Sequence, residues 1–283
     1  MRRLRVAWLP DGKKLHLRNG PLNLIIRAFG APAEVGRAYN AGIERARVLV
    51  SELAEDLPRL QLGAEALTVL GRRAVAACAE VPGALAPVTA LTGAVADEVL
   101  HAMTQAGQLD RAFVNNHGAL AFHLAEGQSI TPDEMDWPDY PRYDARVPIA
   151  STARSRGLAV GGWRFEGFAL GCVDRIFTAA TSSAIAEAAL GSVATRMYPA
   201  GGARMVPADS LVPQSILGGL AVYPQPESLT GEKAVAILAQ ARAVVEALIA
   251  PGIITLAMVE VGDEHFLDGP PHLSLKSTLS LES

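Results

Sequence analysis

Hydrophobic and polar positions alternate along the first thirty residues. Leu4 to Leu9 and Leu15 to Leu17 flank Pro10-Asp11-Gly12, which predicts an opening β-hairpin, and Leu22 to Phe29 is a third strand entered by Gly20-Pro21. The period then lengthens. From Pro32 onward Val35, Tyr39, Ile43, Ala46, Leu49 and Leu53 recur at helical spacing, with Arg37, Glu44, Arg45 and Arg47 between them. A second helix is predicted over residues 64–81 and a third over 87–108, the latter with small residues on one side that allow close packing on a sheet.

Further on, Ala112 to Val114 and Ala119 to Leu124 read as strands around a bend at Asn115-Asn116-His117-Gly118. Three polar side chains and a glycine between apolar strands suit either a tight hairpin or a backbone that approaches a ligand. Residues 126–146 crowd acids and aromatics around Pro132, Pro138 and Pro141, predicting an ordered loop that is either a lid or a surface excursion. Strands are predicted over 147–150, 158–162, 167–177, 216–223 and 253–261. Helices are predicted over 182–196, with Ser182 or Ser183 as cap, and over 232–250. This alternation predicts an α/β fold, a layered sheet with packed helices in a single compact unit. The domain is expected to span 1–263, followed by a C-terminal tail over 264–283.

Composition narrows the function. A chain of 283 residues buries about 75% of its unfolded surface without staples. Half of the residues are apolar and the net charge is −4, which argues against a nucleic-acid or anionic-membrane partner but leaves room for a local anion site. Cys78 and Cys172 have no metal-like spacing and read as free thiols of a reducing compartment. The short basic start, stopped at Pro10-Asp11-Gly12, does not resemble a leader peptide, and no stretch reaches membrane-span length, so a cytoplasmic protein is expected. Ala-rich helices and a β-edge near the C-terminus make a homo-oligomer a further expectation.

Strong stand-alone catalytic motifs are absent, and the scattered histidines predict no metal site. Four weaker constellations remain. The first is the Asn115–Gly118 bend. The second is Arg154-Ser-Arg156 with Gly161-Gly162-Trp-Arg164, where glycines beside arginines could hold a phosphate or carboxylate; a hairpin with solvated arginines is the alternative. The third is Asp174, an acid in an otherwise apolar strand, costly unless paired. The fourth is Glu187 on a nearly apolar helix, where simple exposure is the plainer explanation.

In this order, Val114-Asn-Asn-His-Gly-Ala-Leu120, Gly157-Leu-Ala-Val-Gly-Gly162, Ala169-Leu-Gly-Cys-Val-Asp-Arg-Ile176 and Ala186-Glu-Ala-Ala-Leu-Gly191 resemble the ApbE-like superfamily of flavin transferases, closest to its short cytoplasmic branch. The resemblance covers roughly residues 12 to 262 and implies the ApbE-like fold, with FAD or FMN as the candidate cofactor. In the transferases an Asp and a Thr on the fourth segment help bind Mg²⁺ beside the flavin pyrophosphate. Glu187 and Gly191 stand there in this chain, and His117-Gly118-Ala119 replaces a Gly-Gly-Asp turn. A Mg²⁺ site so stripped of oxygen ligands suits the ion poorly.

The sequence therefore points to a diverged enzyme acting on a small, anionic metabolite. In that reading His117 is the general acid or base, Asp174 or Glu187 its carboxylate partner, and Arg154, Arg156 or Arg164 the anion anchor. Asn115, Asn116, Gly118, Gly161 and Gly162 would line the ligand. The alternatives are a flavin-nucleotide binder or Mg-dependent FMN transferase with an altered site, and a non-catalytic ligand-binding protein.

Overall fold

Leu15, Leu17, Leu22, Leu24 and Ile26 turn to one side of a sheet in the computed structural model, as their alternation requires. The structure describes residues 4–135, 148–198, 204–213, 215–224 and 229–269. In chain order the first elements are β1 (Arg5–Trp8), β2 (Leu15–Asn19), β3 (Leu22–Phe29), α1 (Pro32–Gln61), α2 (Val69–Glu80), α3 (Leu91–Ala106), β4 (Arg111–Asn116) and β5 (Ala119–Leu124). Then come β6 (Ser129–Ile130), β7 (Ile149–Ala150), β8 (Gly157–Gly161), α4 (Trp163–Glu166), β9 (Arg175–Ala180) and α5 (Ser183–Ala194). The chain continues through β10 (Val206–Pro207), α6 (Ala208–Leu211), β11 (Ala221–Val222), α7 (Glu232–Ile249), β12 (Ile254–Val261) and β13 (Glu264–Asp268).

Nine strands form the main sheet among the described residues, in the order β1-β2-β3-β4-β5-β8-β9-β12-β13. Every ladder in it is antiparallel. One face carries the larger core, built with α1, α2, α3, α5 and α7. Phe113, Leu120, Phe122 and Leu158 point the other way, into a smaller core closed by Ile130, Met135 and Ile149. The result is one α/β domain with helices packed on a large sheet.

Several boundaries differ from the sequence expectation, each for a local reason. Helix α2 starts at Val69 rather than near residue 64, because the buried Asp56 carboxylate accepts the N–H groups of Leu67 (2.8 Å) and Thr68 (3.0 Å) and holds them in a loop. Thr68 then caps the helix through Gly71 N–H. A 3-10 turn over Pro87–Ala90 precedes α3. The strand expected over 167–177 begins only at Arg175, so Asp174 lies just outside it. The preceding segment packs on the end of α5, where a Cβ at Gly171 would sit 1.8 Å from the Ala194 carbonyl oxygen. Only Ala221–Val222 of the strand expected over 216–223 forms, since Gly218 turns the chain with φ 57°. Residues 264–268, expected to begin a tail, instead pair with β12 as an edge strand after a turn at Gly262 (φ 61°), and Phe266 is buried. The described part of the 126–146 loop, residues 126–135 with β6, packs on the smaller core through Ile130 and Met135; its stretch from 136 lies outside the described residues. No helix among the described residues is long and apolar enough to cross a membrane.

The tightest backbone contact between sheet and helix layer is at Gly157, where a Cβ would lie 2.0 Å from Ser182 C and Ser183 N. Neither neighbour is a flexible side chain. Gly157→Ala is therefore expected to cost about 2–4 kcal/mol in urea unfolding, an overpacking effect. An unchanged midpoint would mean that β8 and the start of α5 separate without penalty.

Candidate functional site

Strands β4 and β5 meet at Asn116 and Ala119, so their loop is His117-Gly118 alone. Both loop residues have positive φ, 49° and 89°, the pattern of a type I′ hairpin, in which the second residue is commonly glycine. The hairpin is braced from behind. Asn115 Oδ1 accepts Gly118 N–H at 3.1 Å, and its Nδ2 donates to Met135 O at 3.2 Å. Asn116 Oδ1 accepts Asn23 N–H at 3.2 Å while its Nδ2 donates to Thr92 O at 3.1 Å. Both asparagines are buried and fasten the turn to its neighbours; His117, by contrast, is exposed.

Helix α4 comes next to the hairpin tip. The ring of Phe165 lies 5.4 Å from that of His117, and a Cβ at Gly118 would meet Phe165 at 2.7 Å. Asp174 holds this short helix in place. Its carboxylate accepts the indole N–H of Trp163, Arg164 Nε and Nη2 (both 3.2 Å), and Gly262 N–H (3.0 Å). Gly162, with φ 111°, is required there because a Cβ would sit 2.5 Å from the Asp174 carbonyl oxygen. What α4 delivers is Glu166.

Two helices exchange carboxylates at their N-terminal ends. Asp97 of α3 accepts the N–H groups of Ser183 and Ala184 (3.0 Å each), at the start of α5. Glu187 of α5 accepts Gly93 N–H (2.6 Å), in the first turn of α3. Each acid thus meets N–H groups that a helix end leaves unpaired. The crossing is close because position 93 has no side chain: a Cβ would lie 2.5 Å from Ser183 C and O.

Hairpin, α4, α5 and the start of α3 enclose a cavity of about 520 Å³ on the helix side of the sheet. Its walls are mainly apolar, with Val160, Ile176, Leu190 and Ile216 among them. Arg18, His117, Glu166 and Glu187 supply its ionisable groups. Glu166 borders the cavity as an exposed residue, while the protein packed around its carboxyl raises it to about 7 through desolvation. Burial likewise raises Glu187, to about 8; the Gly93 N–H opposes this, and the charge of Glu166 reinforces it. Cys78 is pushed to about 11 by burial and by Glu187, which makes it a poor thiolate.

The cavity gathers His117, Gly161, Gly162 and Glu187 from the residues singled out in the sequence. Asn115, Asn116, Gly118 and Asp174 stand behind it as supports. Arg164 is engaged by Asp174, Arg156 donates to the carbonyls of Ser151, Ala153 and Ser155, and exposed Arg154 lies beside Gly252, so none of the three lines the cavity. Arg18 and Glu166 do, and sequence reasoning missed both: the first reads as an ordinary exposed strand residue, the second as a lone acid between Phe165 and Gly167.

The oxygen donors here do not fit Mg²⁺. Glu187 already accepts an N–H, Ala119 is apolar, and Gly191 offers no side chain although a Cβ there would have ordinary contacts at 3.7 Å with Leu170 and Thr89. Among the described residues no group of three or more His, Cys, Asp or Glu converges. A flavin pyrophosphate would face two acids, with Arg18 the one arginine or lysine among the lining residues. A search of curated proteins gave no match to the chain. The family model for AbpE bacteria matches residues 6–267, and the chain belongs to this ApbE-like family.

Proposed function

We propose that the cavity is the active site of a cytoplasmic enzyme that performs acid–base chemistry on a small metabolite bearing an anionic group. One observation carries this reading: a single apolar cavity collects His117, Glu166, Glu187 and Arg18. Arg18 is the anion anchor, in place of the three arginines expected from sequence. It has no carboxylate partner among the described residues, so its charge is available. Glu166 and Glu187, raised towards neutrality, can each hold or release a proton near the pH at which a general acid or base works best. His117 sits exposed at the hairpin tip, where it can exchange protons with solvent. Asp174 is a positioning residue through α4.

Depletion of single compounds from a metabolite extract, followed by mass spectrometry, tests the proposal. Turnover is expected with the wild-type protein and is expected to fall by about 10²–10⁴-fold in His117→Asn, a change that keeps the left-handed turn. Wild-type rates in that variant would leave His117 a turn residue only. Family membership supports a second reading, flavin-nucleotide binding or FMN transfer with an altered site. Transfer of FMN to a threonine-containing acceptor on addition of Mg²⁺ would put that reading first. Tight binding without turnover would instead favour a ligand-binding protein.

A further inference from the structure

We infer that the cavity takes a zwitterion, its anionic group on Arg18 and its ammonium group between Glu166 and Glu187, joined by an apolar chain or ring. The inference rests on the cavity being the ligand site and adds the class of ligand. Among the described residues no donor or cation reaches the Glu166 carboxyl, and Glu187 has only the Gly93 N–H and the Thr92 side chain. Two carboxyls thus border one cavity without a counter-charge; desolvation disfavours their charged forms, and a cation between them would favour those forms again. Behind Glu187 stands Asp97, whose charge opposes its ionisation further; His117 is at the hairpin tip and Arg18 is the remaining charged group in the lining.

The chemistry of the walls selects the kind of cation. A hard metal ion needs about six oxygen ligands, which the apolar lining does not supply. An ammonium group needs few acceptors: its three N–H donors can serve two carboxylates at once. Its carbon skeleton would replace water against Val160, Ile176, Leu190 and Ile216. Arg18 then neutralises the other end. A ligand with a positive and a negative terminus leaves neither the acids nor the arginine unpaired.

Calorimetric titration of the full chain with four straight-chain probes tests this: aminocaproate, caproate, adipate and hexylamine. Aminocaproate is expected to bind at least about ten-fold more tightly than caproate or adipate. The Glu166→Gln/Glu187→Gln double variant is expected to lose that preference while still binding caproate, because the amide oxygen at 187 can still accept the Gly93 N–H. Arg18→Met is expected to lose caproate and keep hexylamine. If adipate or caproate equals aminocaproate, the two acids act as neutral donors and the inference fails; it fails equally if none of the four binds. These affinities are read without turnover, so the acid–base proposal can fall while the ligand class stands, and the reverse.

Discussion

Glu187→Gln is expected to unfold at a higher temperature than the wild-type protein above about pH 8, with the gap closing below about pH 4.5. The ordinary glutamate value of 4.5 is raised to about 8 in the folded protein, first by burial and then by the neighbouring charge of Glu166. Between those two values the folded protein keeps a proton that the unfolded chain has lost. The unfolded state therefore binds fewer protons, and stability falls as pH rises through the window. Glu166 adds a slope of the same sign between 4.5 and about 7. Glutamine has no proton to lose and removes the Glu187 part of the slope while keeping an acceptor for Gly93. Thermal unfolding of both proteins across this range decides the matter; parallel curves would mean that Glu187 ionises freely in the fold. A protein stabilised by losing an acid from its cavity would fit the common trade of stability for function.

Asp97→Ala is expected to be the most damaging single change in the helix layer, at about 2–5 kcal/mol in urea unfolding. The Asp97 carboxylate is buried and accepts from both Ser183 and Ala184. Removing it strands two N–H groups at the start of α5, where protein contacts limit replacement by water. Asp97→Asn keeps one acceptor oxygen and should lose less. If alanine and asparagine are equally harmless, α5 is held by Ser182, whose hydroxyl accepts Ile185 N–H at 3.2 Å, rather than by Asp97. Burial raises the Asp97 carboxyl to about 6 against the pull of these N–H bonds, so its own ionisation lowers stability as pH climbs from 3.8 to that value.

Much of the fold was legible because its signals are local. The alternation over Leu22–Phe29 marks that strand to the residue, and the helical spacing after Glu232 marks α7 within one residue of its end. The Asn115–Gly118 bend offered a hairpin or a site, and the structure shows the hairpin: its asparagines satisfy backbone groups, and His117 borders the cavity. The strand expected through Asp174 begins one residue later. Asp174 lies just before β9, and its partner is Arg164, held close by the turn at Gly162 rather than by any pleat. Arg18 and Glu166 left no local mark, because what makes them notable is that β2 and α4 end at the same space. Convergence of that kind belongs to the topology.

The same topology has a kinetic consequence. Strands β3 and β4 are neighbours in the sheet, yet α1, α2 and α3 all lie between them in the chain. Such a ladder must close a long loop before any of its bonds can help, which slows folding. The cavity draws on Arg18 at one end of this path and on Leu217 far beyond it, so it is completed only after distant segments have docked. A partly folded chain has no such space to offer. Its occupant would therefore act on the native state alone, retarding escape from it without hastening arrival.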